Sequence, residues 1–104
     1  MPLTITTAGI CDGLMQMNAG AFSIGQYEPA CHAMLGAVSA AESIVDEVRL
    51  DGIVIKALDQ LERISHAPPK SVRYDTLSCY QSATSQAIGA LRRVEVQSVK
   101  NRPI

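Results

Sequence analysis

Between Ala30 and Ala41 the chain leaves almost nothing for water to hold. Ala30, Cys31, Ala33, Met34, Leu35, Ala37, Val38, Ala40 and Ala41 are apolar, and one narrow polar stripe runs through Glu28, His32, Gly36, Ser39 and Ser43 at spacings of three and four. Polar residues recurring at that period describe a helix, and a helix apolar on most sides is buried on most sides. This segment is therefore expected at the middle of a bundle, with one neighbour on each of two faces. Its many alanines would let those neighbours come close.

The residues before it set how it begins. Gly25 is the residue type that most readily adopts the left-handed conformation ending a helix. Pro29 is tolerated in a first helical turn, where backbone N–H groups have no intrahelical partner. The stretch Gly25-Gln26-Tyr27-Glu28-Pro29 thus reads as the corner of a helical hairpin. Upstream, Leu14, Met17 and Ala21 recur at helical spacing, with Phe22 and Ile24 widening the stripe and Asp12 in the position of an N-cap. That predicts a first helix over about 12–24, preceded by an extended arm at 1–11.

Downstream, Ile44, Val45 and Val48 share a face that is out of phase with the stripe Leu50, Val54, Ala57, Leu61 and Ile64. The phase jump predicts a connection at 43–47 and a third helix over 46–66, with Asp46 and Glu47 in its first turn, where the helix dipole favours acids. Gly52 marks a local weak point. Arg49, Lys56, Asp59 and Arg63 line the wet face, with Asp59 and Arg63 spaced to pair. Pro68-Pro69 forbids continuation. After a linker reaching Tyr74, Asp75 or Thr76 is expected to cap a fourth helix carrying Leu77, Tyr80, Thr84, Ala87, Ile88, Leu91 and Val94 on its apolar side. The pattern loses phase after Glu95, and 100–104 is expected to fray.

The expected fold is all-α: a small up-and-down bundle of about four helices forming one domain over 12–99. Its 104 residues, 47% hydrophobic, furnish one core, and only 4% are aromatic, so that core is aliphatic. Five acids and no base lie up to Val48, whereas nine bases and five acids follow. Two readings fit this asymmetry: wet helix faces, or an electrostatic docking surface.

The stretch from Leu14 to Glu42 resembles a single tetratricopeptide-type helical hairpin. Leu14, Met17 and Ala21 match its first-helix positions, Gly25 and Tyr27 its corner, and Ala30, Met34 and Ala37 its second helix. Asn18 stands where that family has a small residue, and Glu42 where it often has Pro. No second copy follows at a period of about 34, so the reading is one hairpin capped by two further helices. The resemblance implies a surface that holds another protein segment, without catalysis.

Chemistry-bearing residues are sparse. Cys31 and His32 are adjacent and point about 100° apart on a helix, so they do not share an ion, and His66 reads as a helix-end residue. Cys11, Cys31 and Cys79 are an odd number without a C-x-x-C pair, which suits a reduced, cytoplasmic protein. No metal, cofactor or catalytic residue is expected, and the common hydrolase, nucleotide and metal motifs are absent. The bases Lys70, Arg73, Arg92, Arg93, Lys100 and Arg102 lack interleaved aromatics. With a net charge of -1, nucleic acid and membrane partners are not expected.

The expected function is a non-enzymatic interaction module, binding a protein partner or a second copy. Its candidate surface is Leu14, Met17, Tyr27, Met34, Leu35 and Tyr80. The alternative is a regulatory bundle holding an apolar ligand in a pocket lined by Met34, Leu35 and Tyr80.

Overall fold

A computed structural model describes residues 5–67 and 73–100. They form four helices: α1 (Thr7–Ser23), α2 (Tyr27–Ser43), α3 (Glu47–Ser65) and α4 (Tyr74–Lys100). Among the described residues there is no strand. The fold is the all-α bundle that the apolar periodicity predicts. α2 packs against α1, α3 and α4, while α3 packs chiefly on α4. The segment that is apolar on most sides thus occupies the centre.

Small residues set how closely the helices meet. Ala30, Ala37 and Ala41 of α2 and Ala83, Ala87 and Ala90 of α4 are fully buried, around Met34, Leu50, Ile53 and Val94. A Cβ on Gly36 would stand 3.1 Å from Cδ1 of Leu14, so α1 lies almost against the backbone of α2 there. α3 runs through Gly52 without a break.

α1 starts earlier than expected. Thr6, extended at φ -105°, accepts a hydrogen bond on Oγ1 from the N–H of Gly9 at 2.9 Å, and the helix begins at Thr7. The added turn brings Cys11 into the core, where its thiol reaches the Ala37 carbonyl at 3.4 Å. The extended arm at 1–11 is corrected accordingly, and its first four residues lie outside the described ones. Asp12 is no N-cap; it sits inside α1. At the other end, Thr76 N–H and Leu77 N–H bond to the Arg73 carbonyl, so α4 begins at Tyr74. Asp75 and Thr76 fall in its first turn instead of capping it. α4 continues through the out-of-phase stretch after Glu95 to Lys100. Of the segment expected to fray, 101–104 lies outside the described residues, as does 68–72 of the linker with both prolines.

The first two corners are built alike. Ile24 caps α1; the Gly25 N–H bonds to the Phe22 carbonyl at 3.1 Å and the Gln26 N–H to the Ala21 carbonyl at 2.8 Å. Twenty positions on, Ile44 caps α2, the Val45 N–H bonds to the Glu42 carbonyl and the Asp46 N–H to the Ala41 carbonyl, both at 3.0 Å. Both are Schellman turns, which need a left-handed residue just beyond the cap. Gly25 supplies it freely at φ 77°, but Val45 is forced to φ 54°. For a β-branched residue that conformation is strained. Asp46 then caps α3 by accepting from the Arg49 N–H at 3.0 Å.

The two corners should respond oppositely to substitution. Val45→Gly should raise unfolding free energy by about 1 kcal/mol, the relieved left-handed strain less the added freedom of the unfolded chain. Gly25→Ala should lower it by about 1–2 kcal/mol, although open space surrounds the new Cβ. Denaturant titration of both variants checks the pair.

Candidate functional site

Polar groups from all four helices meet at one buried point. Asn18 of α1 and Gln60 of α3 bond as a reciprocal amide pair: Asn18 Nδ2 donates to Gln60 Oε1 at 3.0 Å, and Gln60 Nε2 donates to Asn18 Oδ1 at 2.7 Å. Asn18 Nδ2 also donates to the Ala30 carbonyl of α2 at 2.8 Å, and Tyr80 of α4 donates its hydroxyl to Gln60 Oε1 at 2.9 Å. Phe22 covers this group, its ring centroid 5.1 Å from Tyr27 and 6.3 Å from Tyr80. No buried side-chain N or O among the described residues lacks a partner.

This convergence is absent from the reading of the sequence, although its signal was present. Asn18 continues the apolar stripe of α1 between Leu14 and Ala21, and Gln60 continues Ile53 and Ala57 towards Ile64. Two amides inside apolar stripes on different helices are a pair in waiting. Their contact surface is closed: Asn18 and Tyr80 have no exposed area and Gln60 has 2%. The cluster fastens all four helices to one another.

Of the six residues expected on an interaction surface, Met34 and Tyr80 are fully buried, and this placement is corrected. Met34 lies on the inner face of the central helix, and the Tyr80 hydroxyl is held by Gln60. Leu14, Tyr27 and Leu35 are half-buried against the core. Met17 alone of the six is well exposed, at 65%. Of the three residues of the alternative ligand pocket, Met34 and Tyr80 have no exposed area. Leu35 instead lines a groove of about 460 Å³ between α2 and α4, beside Ser39, Ser82, Ser85, Gln86 and Arg93.

Met17 has company. Ile10 is 47% exposed and Ile24 74%, and with Gly13 and Gly20 they recur at intervals of three and four along α1 and onto its C-cap, Ile24. On a 3.6-residue helix these five positions form one stripe, turned away from Cys11, Asn18 and Phe22. A Cβ on Gly13 or on Gly20 would have nothing within 4 Å. The stripe carries no charge. The outer apolar residues of α3, Val48, Ile55 and Leu58, are by contrast interleaved with Asp51 and Glu62.

The uneven charge of the sequence is largely consumed inside the molecule. Arg49 clamps Asp12 with Nε at 2.9 Å and Nη2 at 2.8 Å, and reaches Asp46 at 2.7 Å. Arg93 grips both carboxylate oxygens of Glu42. These guanidinium contacts hold the Asp12 and Glu42 carboxyls below their ordinary pKa, and Asp46 is lowered first by the Arg49 backbone N–H and then by its guanidinium. Asp59 and Arg63 pair at 3.1 Å as their spacing predicts. His32 is exposed on the polar stripe, and His66 caps α3.

The cysteines are free thiols. Burial first, then the neighbouring Cys79, pushes the Cys31 thiol up to about 12, and burial raises Cys11 and the Tyr80 hydroxyl. Among the described residues no three of His, Cys, Asp or Glu form a group that could hold a metal ion, and no helix is long and apolar enough to cross a membrane. Comparison with known protein families, curated proteins and solved structures gives no match.

Asn18→Ala should cost on the order of 3 kcal/mol, because it removes three hydrogen bonds and leaves the buried Gln60 amide short of partners. Tyr80→Phe should cost about 1 kcal/mol, since Gln60 Oε1 keeps its bond from Asn18. Equilibrium unfolding separates them. The raised Cys31 and Tyr80 groups favour their neutral forms in the fold. Their contribution is therefore complete below the unfolded-chain values, about 8.5 and 10, and is lost as pH rises through the higher folded values. Stability should fall from about pH 9 upward, less steeply in Cys31→Ala, as read from denaturation midpoints between about pH 7 and 11.

Proposed function

We propose that this chain is a non-enzymatic docking module that contacts a protein through the outer face of α1. The observation that carries the reading is the uncharged stripe Ile10, Gly13, Met17, Gly20 and Ile24. Exposed apolar side chains scattered singly need no explanation, but a contiguous uncharged row along one helix is the mark of a contact surface. Three further features support it. The buried polar cluster is saturated by its own members, which favours a structural role over catalysis. The α1–α2 hairpin, with Gly25 at its corner and Gly36 admitting Leu14, is in keeping with a tetratricopeptide-type unit, a scaffold that holds protein segments. Free thiols in the core suit a reducing, cytoplasmic setting.

The test is cross-linking and co-purification from the native cell with Met17→Glu beside Ile55→Glu. Met17→Glu should lose the bound protein while its melting temperature stays within about 2 °C, and Ile55→Glu should retain it. If both variants keep the same protein, the outer face of α1 is not the docking surface.

A further inference from the structure

The stripe on α1 contains both halves of a fit. Ile10, Met17 and Ile24 stand out as knobs, and between them half-buried Gly13 and exposed Gly20 leave open space where a side chain would stand. The spacing is seven residues for the knobs and seven for the holes, the repeat at which two helices keep one seam in contact. Laid parallel on a second copy, the stripe would set Met17 against Met17 and Gly20 against Gly20, crowding one layer and emptying the next. Laid antiparallel, it alternates correctly. With Met17 of one copy facing Gly20 of the other, Ile24 faces Gly13, and the two-fold axis repeats both layers in reverse.

Resting on the docking role proposed for this face, we propose that its occupant is a second copy of this chain, paired antiparallel through α1. Charge agrees with that choice. The sole charged residue of α1 is Asp12, outside the stripe and held by Arg49, so two copies bring no like charges together along the seam. The outer face of α3 would set Asp51 and Glu62 near their own equivalents. Antiparallel helices also place the positive end of each dipole beside the negative end of the other. Glycine at the contact lets the second backbone approach closely.

Area sets the strength. α1 has seventeen residues, a rod of about 25 Å, and a contact strip about 10 Å wide covers on the order of 250 Å² in projection per copy. A standard interface takes roughly 800 Å² from each partner. The pair is therefore weak and concentration-dependent.

Sedimentation equilibrium of the intact chain up to about 1 mM tests this with two variants and their mixture. Met17→Ala opens both central layers and Gly20→Met overfills them, and each should weaken self-association at least about tenfold with unchanged helical circular dichroism. Mixed in equal amounts, they should pair with each other, because residue 17 of one is then small where residue 20 of the other is large, and the reverse. Ile55→Glu should dimerise like the parent chain. A parent chain that stays monomeric to about 1 mM, a dimer indifferent to both variants, or a mixture that fails to restore pairing each overturns the proposal. A monomer that nonetheless loses a cellular protein on Met17→Glu overturns self-pairing alone and leaves the docking role standing.

Discussion

The reciprocal amide pair of Asn18 and Gln60 is the contact on which the arrangement of the four helices depends. Apolar burial by itself would tolerate α1 sliding or rotating on the small residues of α2, since alanine and glycine surfaces offer little to register against. Directional bonds remove that freedom. Asn18 spends both amide protons, one on the Ala30 carbonyl and one on Gln60, while Gln60 also receives the Tyr80 hydroxyl. Any shift of one helix leaves a desolvated polar group unpaired, at about 1–3 kcal/mol each, a sizeable part of the 5–15 kcal/mol that holds a typical domain together. The cluster therefore selects one packing out of several that an aliphatic core would accept.

Charge reinforces the same register from outside. The acidic first half and the more basic second half meet across the bundle, Asp12 with Arg49 and Glu42 with Arg93. Both guanidinium groups reach two carboxylate oxygens, a geometry more specific than a point charge provides. Being exposed, these pairs contribute little net stability. Their effect is directional, because the two hairpins attract in the observed pairing and would lose both clamps if either were turned over. An asymmetry that reads in the sequence as a possible surface for another molecule is in large part the complementarity of this molecule with itself.

Much of the architecture was legible for a simple reason: α2 is apolar on most sides, so its central place follows from solvation alone, and the phase jump near Ser43 locates the second corner. Helix starts were less legible. Thr6 and Asp12 are both N-cap residue types, and only the packing of Cys11 against Ala37 decides between them. Val45 gave no sign that it would hold a left-handed turn, because the turn is imposed by the helices on either side. The buried cluster is hard to see in the sequence because Asn18 and Gln60 lie on different helices, 42 positions apart, and neither signals its partner alone. The periodicity that predicts an apolar stripe also says which polar residues are trapped in it. Met34 and Tyr80 were misplaced onto a surface for the complementary reason: large side chains on a central helix, or beside a buried acceptor, are drawn inward.

The glycines divide according to what the folded chain asks of them. Gly25 is needed for a positive φ, and Gly36 for the approach of Leu14. Gly13 and Gly20 answer to neither requirement, yet each weakens α1 by about 1 kcal/mol relative to alanine. α1 begins with a good cap but contains no salt bridge along its own length and has Asp12 as its one charge. Its helicity must come from packing, and only one of its faces is packed within the chain. Two glycines on the other face are intelligible if that face is also covered part of the time, by a surface shaped to fill them. The weakest helix by composition is then the one whose order depends most on company, and the knobs at Met17 and Ile24 are placed where that company would meet them.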